Sequence, residues 1–332
     1  MSLLLNRRRL LAAGLVLPAL GAAPLRAQVA TGTWPTRPIR LIVVYPAGGV
    51  SDLMARALAD PLAATLNVPV VVEHRPGAGG SVGIDLLARS ASDGHTLAFS
   101  AISPLTLQPL LDRQGQADRL HAVEPVASVM RTPVLVAATP AFKGASFHDL
   151  LRQARENPGM LRWASSGVAT TGHLVLAQVR ALAGVDITHV PYQGGGPQLN
   201  DALGGQFEIL SSNVAAQQLR YVAQGRLRAL AVGSPARLPA LPQVPTLAEL
   251  GFEPANRDSL FGIFAPPGTP RRVVRKLNIE VNRVLAGASM RERLLQSYNL
   301  PAPASTDAFA NEIELDRQRN AELVARDPRA FD

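Results

Sequence analysis

The chain has 332 residues, 47% of them hydrophobic and 17% charged, with a formal charge of +8 and no cysteine. Its apolar content excludes a disordered or fibrous chain, and the lack of cysteine excludes disulfide scaffolds, Cys-ligated zinc or iron–sulfur sites and thiol nucleophiles. The length exceeds one comfortable core and implies two domains of roughly 100–200 residues each.

In chain order, Arg7, Arg8 and Arg9 precede an apolar stretch, Leu10 to Leu25, which is followed by Arg26 and Ala27. A basic start, an apolar segment and a small residue at its exit predict a secretory signal over residues 1–27. The arginine pair before Leu10-Leu11 leaves both the Sec and the twin-arginine route open. Pro18 and Pro24 interrupt the stretch, which falls short of the ~20 residues a membrane span needs. No later run approaches that length, so a multi-span membrane protein is excluded. Removing residues 1–27 takes four arginines and no acid, leaving a charge of about +4. The remaining basic residues are scattered and rarely flanked by aromatics, so no nucleic-acid partner is expected.

From Ile39 onward, short apolar runs alternate with helical stretches. Strands are predicted at Ile39–Tyr45, Val68–Glu73 and Thr96–Ser100, with helices from Asp52 to Leu66 and from the glycines after Pro76 through Ala88. Strand–turn–helix repeated in this way implies βαβ units and a mostly parallel sheet. Pro133–Ala138 is a further apolar run. Ser146 with Asp149 three residues on is a capping-box start, and Pro158-Gly159 closes that helix. Strands are expected at Leu161–Ala164, Ile187–Val190, Phe207–Leu210 and Leu227–Val232, followed by a Pro-rich surface loop from Pro235 to Pro245. Phe261–Ala265 is another strand. A long amphipathic helix starts near Pro270, and a polar helix with one packed face covers Thr306–Arg326. The pattern predicts an α/β fold in two lobes with a cleft between them. Val134–Ala138 crosses out and Phe261–Ala265 crosses back, so residues 36–136 and 261–332 form domain 1 and 137–260 form domain 2.

Ligands of open α/β sheets bind beyond the carboxyl ends of the strands, which directs attention to the strand-to-helix turns. In Tyr45-Pro-Ala-Gly-Gly-Val-Ser-Asp52, Gly48 and Gly49 permit close backbone approach. The helix that follows turns its free N–H groups and positive dipole end toward the cleft, making an anion site. Arg75-Pro-Gly-Ala-Gly-Gly-Ser-Val-Gly83 repeats the arrangement, so the two turns could cradle one carboxylate between them. As a dinucleotide fingerprint the second turn fails at its third glycine, where Val82 stands, and no phosphate loop of the GxxxxGK[ST] type exists. In the second half, Ser165-Ser-Gly-Val-Ala-Thr-Thr-Gly-His173 is dense in hydroxyls and could take a second carboxylate. A Ser/His catalytic reading of that stretch lacks the Gly-x-Ser-x-Gly elbow and an orienting acid. His189-Val-Pro-Tyr192, followed by Gly194-Gly-Gly196, is a further strand end where Tyr192 could meet a ligand, while His189 itself suits a packed structural role. The six histidines are dispersed without metal-ligand spacing, so no metal or cofactor is expected. Many glycine-lined turns and few acids, bases or nucleophiles describe a receptor rather than an enzyme.

At these residues the sequence closely resembles the periplasmic solute-binding receptors of tripartite tricarboxylate transporters, the Bug-type receptors. The similarity runs from Trp34-Pro-x-Arg-Pro-Ile-Arg40 through Pro46-Ala-Gly-Gly-x-x-Asp52, Arg75-Pro-Gly-Ala-Gly-Gly80, Asp93-Gly94, Ser165-Ser-Gly with His173, and His189-Val-Pro-Tyr192. It continues through Leu227–Val232, Pro245-Thr246 with Glu249-x-Gly251, and Phe264-Ala-Pro266 with Gly268-Thr-Pro270. The resemblance implies a type II (Venus-flytrap) periplasmic-binding-protein architecture that closes on a small organic carboxylate of the di-/tricarboxylate or acidic amino acid type. It further implies a monomer that delivers the ligand to the membrane subunits of the transporter. Carried onto this chain, Ala47, Gly48, Gly49 and Asp52 of the first turn and Ala78, Gly79 and Gly80 of the second would hold one carboxylate. Ser165, Thr170, His173, Tyr192 and Asn213 would face it from the other lobe. The chain departs from the family pattern at His74, where asparagine is usual, at Gln193 in place of lysine, at the aromatic position Leu260-Phe261, and at Ser211-Ser212 in place of Phe-Asp. A sensor role without transport and a nucleotide-dependent oxidoreductase remain the alternative functions.

Overall fold

The structure, a computed structural model, describes residues 34–112 and 121–331. The predicted signal over residues 1–27 lies outside the described residues. The first sheet begins with β1 (Ile39–Val43), α1 (Val50–Leu66), β2 (Val70–His74), α2 (Ser81–Ala88) and β3 (Thr96–Ala101), followed by the short turns α3 (Ser103–Thr106) and α4 (Gln108–Leu111). β1 lies between β2 and β3, parallel to both, with Leu41 opposite Val72 and Leu97. The period-2 alternation of a strand sends its residues to two different cores. Ile39, Leu41 and Val43 pack against Met54, Leu58 and Leu62 of α1, whereas Ile42 and Val44 pack against Ile84 and Leu87 of α2. Burial on both faces is why β1 is a nearly continuous apolar run.

β4 (Glu124–Ala138) is the long strand that links the halves. The second half adds α5 (Phe147–Glu156), β5 (Arg162–Ser165), α6 (Thr171–Ala183), β6 (Thr188–Pro191), α7 (Gly195–Leu203), β7 (Ile209–Asn213), α8 (Ala216–Ala223) and β8 (Arg228–Gly233). The chain then returns through β9 (Asp258–Ala265), α9 (Arg271–Ala286), α10 (Ala288–Gln296), β10 (Leu300–Pro301) and α11 (Thr306–Arg326). From Glu124 to Pro133, β4 pairs with β9; from Val134 to Ala138 it pairs with β7 and β8. The same alternation is at work here. Val134, Val136 and Ala138 face a core built with α5 and α6, while Leu135 and Ala137 face Leu199 of α7 and Leu219 of α8. The result is two α/β/α halves, the predicted fold class, with α9 packed on one face of the first sheet and Phe309 and Ile313 of α11 on the other.

Several sequence expectations are corrected. The apolar run Pro133–Ala138 is only the last part of β4, which begins nine residues earlier. Pro125 and Pro133, which signal a break, are accommodated in the strand, with bulges at Pro125/Ala127 and Ser128/Met130. The segment expected to cross between lobes, Val134–Ala138, lies wholly in the second sheet; the passage occurs where Pro133 gives way to Val134. The sheets are mixed rather than mostly parallel, because β9 runs antiparallel to β3 and β4, and β4 antiparallel to β7. In the second half, β5, β6 and β8 each start and end one residue later than predicted, and β7 ends three later. Their polar ends, Ser165 and Ser211 to Asn213, still pair in the ladder. The capping box at Ser146 and Asp149 is present, with Ser146 Oγ accepting the Asp149 N–H at 3.2 Å and Asp149 Oδ2 accepting the Ser146 N–H at 3.1 Å.

Gly262 of β9 sits beneath α11, where a Cβ would collide with the Phe309 ring and lie 2.7 Å from the Ala127 carbonyl oxygen. Gly262→Ala is therefore expected to destabilise the protein by about 1–3 kcal/mol through overpacking. Urea denaturation checks this: the midpoint falls at an unchanged slope.

Candidate ligand-binding site

The turn between β1 and α1 is built around two glycines. Gly48 has φ +84°, a left-handed conformation, and Gly49 is an extended N-cap that offers no side chain to the helix. The first-turn amides of α1 therefore lack a side-chain acceptor of their own. Asp52, at 6% exposure, lies behind the turn rather than in front of it. Its Oδ2 accepts the Gly48 N–H at 2.9 Å, while Oδ1 meets Arg56 Nε at 2.7 Å and His74 Nε2 at 2.8 Å. Burial opposes ionisation of Asp52, but the Gly48 N–H, His74 and Arg56 together hold it below the usual carboxylate range. Its role is to fix the turn, with the His74 ring as part of that support.

From the second lobe, Gly194 (φ +110°) is the N-cap of α7 and likewise offers no side chain; its own N–H is held by the Ser166 carbonyl at 2.9 Å. A Cβ on Gly194 would stand 2.7 Å from Pro46 Cδ, so the α7 and α1 turns meet across the cleft. α6 differs: its N-cap Thr170 accepts the His173 N–H through Oγ1. Between these turns lies a cavity of ≈ 90 Å³, lined by Gly48, Gly49 and Ser103 from one lobe and by Thr170, the Gly194–Gly196 triplet, Ser212 and Asn213 from the other. Among the described residues lining it there is no Asp, Glu, His, Lys or Arg. Phe261 and Tyr45, edge to face with centroids 6.2 Å apart, supply apolar surface. Burial pushes the Tyr45 hydroxyl up to about 12, against the opposing effect of its Ser100 and Ser103 partners, so it stays neutral.

Of the residues singled out from sequence, Gly48, Gly49, Thr170 and Asn213 come together in this cavity. The others stand elsewhere. Ala47 is exposed in the same turn. Ala78, Gly79, Gly80 and Tyr192 line a neighbouring space of ≈ 260 Å³, where Tyr192 donates to Asp201 at 2.7 Å. Gly79, at φ +65°, lies so close to the Val168 carbonyl that a Cβ would clash with it. Ser165 is buried, its Oγ donating to the Gly167 carbonyl at 2.9 Å and pairing with His189 Nε2 at 2.7 Å. One hydroxyl carries one proton, so His189 is the donor in that pair and its Nε2 cannot serve as a base. His173 is fully buried, stacked on His189 at 4.1 Å and edge-on to Phe331, with Nδ1 accepting the Ala169 N–H at 3.1 Å. Neither Ser165 nor His173 reaches the cavity, because both point into the interior behind the strand ends.

The sequence reading missed Ser103, Gln218 and Ser259 as cleft residues and met Ser212 only as a departure from the family pattern. Their signal is faint: small polar residues next to apolar strand positions, at ends that face the cleft. The Gly194–Gly196 triplet was visible as a strand-end turn, but its role as the start of α7 was not.

Two α/β lobes that close over an uncharged cavity walled by helix N-termini define a solute-binding receptor of the periplasmic-binding-protein fold. The chain belongs to the tripartite tricarboxylate transporter receptor family (TctC), whose description, "Tripartite tricarboxylate transporter family receptor", matches residues 54–324. It is 35% identical over 322 residues to protein BugT of Bordetella pertussis, covering 96% of this chain and 98% of BugT. Among solved structures it is similar to Rpa4515 of R. palustris with adipate (30% identity, TM-score 0.82, 88% of this chain and 97% of that one). It is also similar to MatC from Rhodopseudomonas palustris with bound malate (27% identity, TM-score 0.82, 87% and 99%).

Two predictions follow from this geometry. Gly79 lies outside the cavity but at the contact between lobes, so Gly79→Ala is expected to weaken ligand binding by about tenfold or more, given an overpacking cost of about 1–3 kcal/mol. Gly184 has nearly the same φ, +60°, with no atom near a Cβ. Gly184→Ala is expected to leave affinity unchanged, and calorimetric titration of the pair separates contact from backbone strain. The second concerns pH. Burial pushes His173 down to about 3, helped by His189 and Arg180, and His189 down to about 4, helped by Arg180. An unfolded chain protonates histidine near 6.5. Unfolding therefore takes up protons below that pH, and stability is full above about 6.5 and falls toward 4 by about 1.4 kcal/mol per pH unit per histidine. His189→Gln, which keeps a donor for Ser165, should flatten that slope in denaturation measured between pH 7 and 4.5.

Proposed function

We propose that this chain is an extracytoplasmic receptor that captures a small organic carboxylate in the cleft and delivers it to the membrane subunits of a tripartite tricarboxylate transporter, without catalysing a reaction. The observation that carries this reading is the pair of glycine-capped helix N-termini, α1 and α7, converging from opposite lobes on one uncharged cavity. Unsatisfied amides and the positive ends of two helix dipoles favour an anion there. The adipate and malate held by the two solved relatives support a carboxylate as that anion. We assign the lobes to residues 36–133 with 258–332, and to 134–257, shifting the boundaries expected at 136/137 and 260/261 to where β4 and β9 change sheet. A signal over residues 1–27 directs the chain to the periplasm, where it acts as a monomer.

The mechanism is a population shift. Ligand favours the closed form only by its extra affinity for that form. One helix terminus contributes roughly 0.3–1 kcal/mol, rising to ~2 kcal/mol when partly buried. Desolvating a carboxylate costs several kcal/mol, so donors from both lobes must converge before closure is favourable. A dicarboxylate can bridge the lobes, whereas its monocarboxylate analogue engages one wall. Calorimetry with adipate against hexanoate, on protein stripped of ligand by unfolding and refolding, should give at least a tenfold preference for the diacid. Equal affinities would contradict the bridging mechanism.

A further inference from the structure

The second-lobe wall of the cleft is polarised by hydrogen bonds whose direction is fixed. The Ala215 backbone N–H can only donate, and Gln218 Oε1 accepts it at 3.0 Å. That contact sets the orientation of the Gln218 amide and turns its Nε2 toward Ser212 Oγ, 2.6 Å away. An amide nitrogen has protons and no acceptor lone pair. Ser212 Oγ must therefore accept, and its own proton is left for the cavity that Ser212 lines. Ser212 and Gln218 are each only 3% exposed, so bulk water competes little for this arrangement.

The neighbouring position has the same polarity. Ser259 Oγ donates to Asn213 Oδ1 at 2.6 Å and lies 2.8 Å from Thr171 Oγ1. With its single proton committed to Asn213, Ser259 accepts from Thr171. Asn213 Oδ1 is thus occupied, and Asn213 Nδ2 keeps two protons at the cavity wall. Two adjacent residues of β7 therefore present donors, and no described lining residue is an acid that could balance a cation.

We infer that Ser212, oriented by Gln218, is a specificity determinant that admits a ligand bringing an oxygen acceptor to the second-lobe wall and excludes one bringing an ammonium group there. The inference rests on the carboxylate-receptor reading and narrows it. A plain diacid gives this wall a carboxylate to receive its protons. An α-amino diacid adds a cation that would be buried against donors with no counter-charge, which is costly.

The test is calorimetric titration of the full mature chain with three matched pairs: succinate and L-aspartate, glutarate and L-glutamate, adipate and L-2-aminoadipate. For the chain length that binds best, the plain diacid should bind at least about tenfold more tightly than its amino partner. Ser212→Ala should reduce that ratio below about threefold by weakening the diacid, and Ser212→Thr, which keeps the hydroxyl, should restore it. Gln218→Glu offers Ser212 an acceptor in place of a donor, turning the hydroxyl away from the cavity, and should lower the ratio as Ser212→Ala does. Equal binding within the best pair by the unaltered protein overturns the inference while leaving the carboxylate receptor in place; so does a ratio that survives both Ser212→Ala and Gln218→Glu. Failure of all six acids to bind would overturn the receptor reading, and this inference with it.

Discussion

The structure depends on helices that begin at the cleft with glycine where a capping side chain would ordinarily stand. An N-cap of serine, threonine, aspartate or asparagine stabilises a helix by about 0.5–2 kcal/mol relative to alanine, although glycine gives up only a few tenths. α5 and α11, away from the cleft, take serine caps. α1 and α7, at the cleft, take Gly49 and Gly194. The first-turn amides of both helices are thereby left without a side-chain acceptor, and the missing Cβ of Gly194 lets the two turns approach until it meets Pro46. The same substitution serves chemistry and sterics together.

An uncharged cavity does not mean that charge is absent from its support. Asp52 sits in the first turn of α1, where a carboxylate competes with an anionic ligand for the positive helix end. Its bonds to Gly48, Arg56 and His74 direct that charge into the scaffold, so the acid fixes the turn instead of filling it. A cavity lined by backbone and hydroxyl groups rather than by arginine lacks the deep electrostatic trap that a fixed cation would make.

Much of the fold was legible because β1 and β4 alternate between two cores and because α11 begins and ends where its spacing placed it, at Thr306 and Arg326. Only the last part of β4 was legible, as the apolar run Pro133–Ala138; its earlier part carries Pro125 and polar residues and keeps its ladder through bulges and pairing with β9. The first turn of the site was legible from Gly48 and Gly49. Asp52, Ser165 and His173 were assigned to the cleft from their turns and the family resemblance, yet neither reveals which way a side chain points. Ser165 and His173 face inward, toward His189, and only the packing of β5, β6 and α6 determines that. Gln218 and Ser259 escaped notice for the converse reason, and Ser212 stood out only as a departure from the family pattern: they are single polar residues in largely buried surroundings, brought to the cleft by the pairing of β7 and β9 with β4 and by the start of α8.

A crystal structure of the protein with a bound diacid tests the central claim most directly. The account predicts one carboxylate against the first-turn amides of α1, with the rest of the molecule reaching the α7 turn and the Ser212 wall and no arginine or lysine in contact. An acid held by a basic side chain, or seated outside the hollow between Gly49 and Gly194, would contradict it.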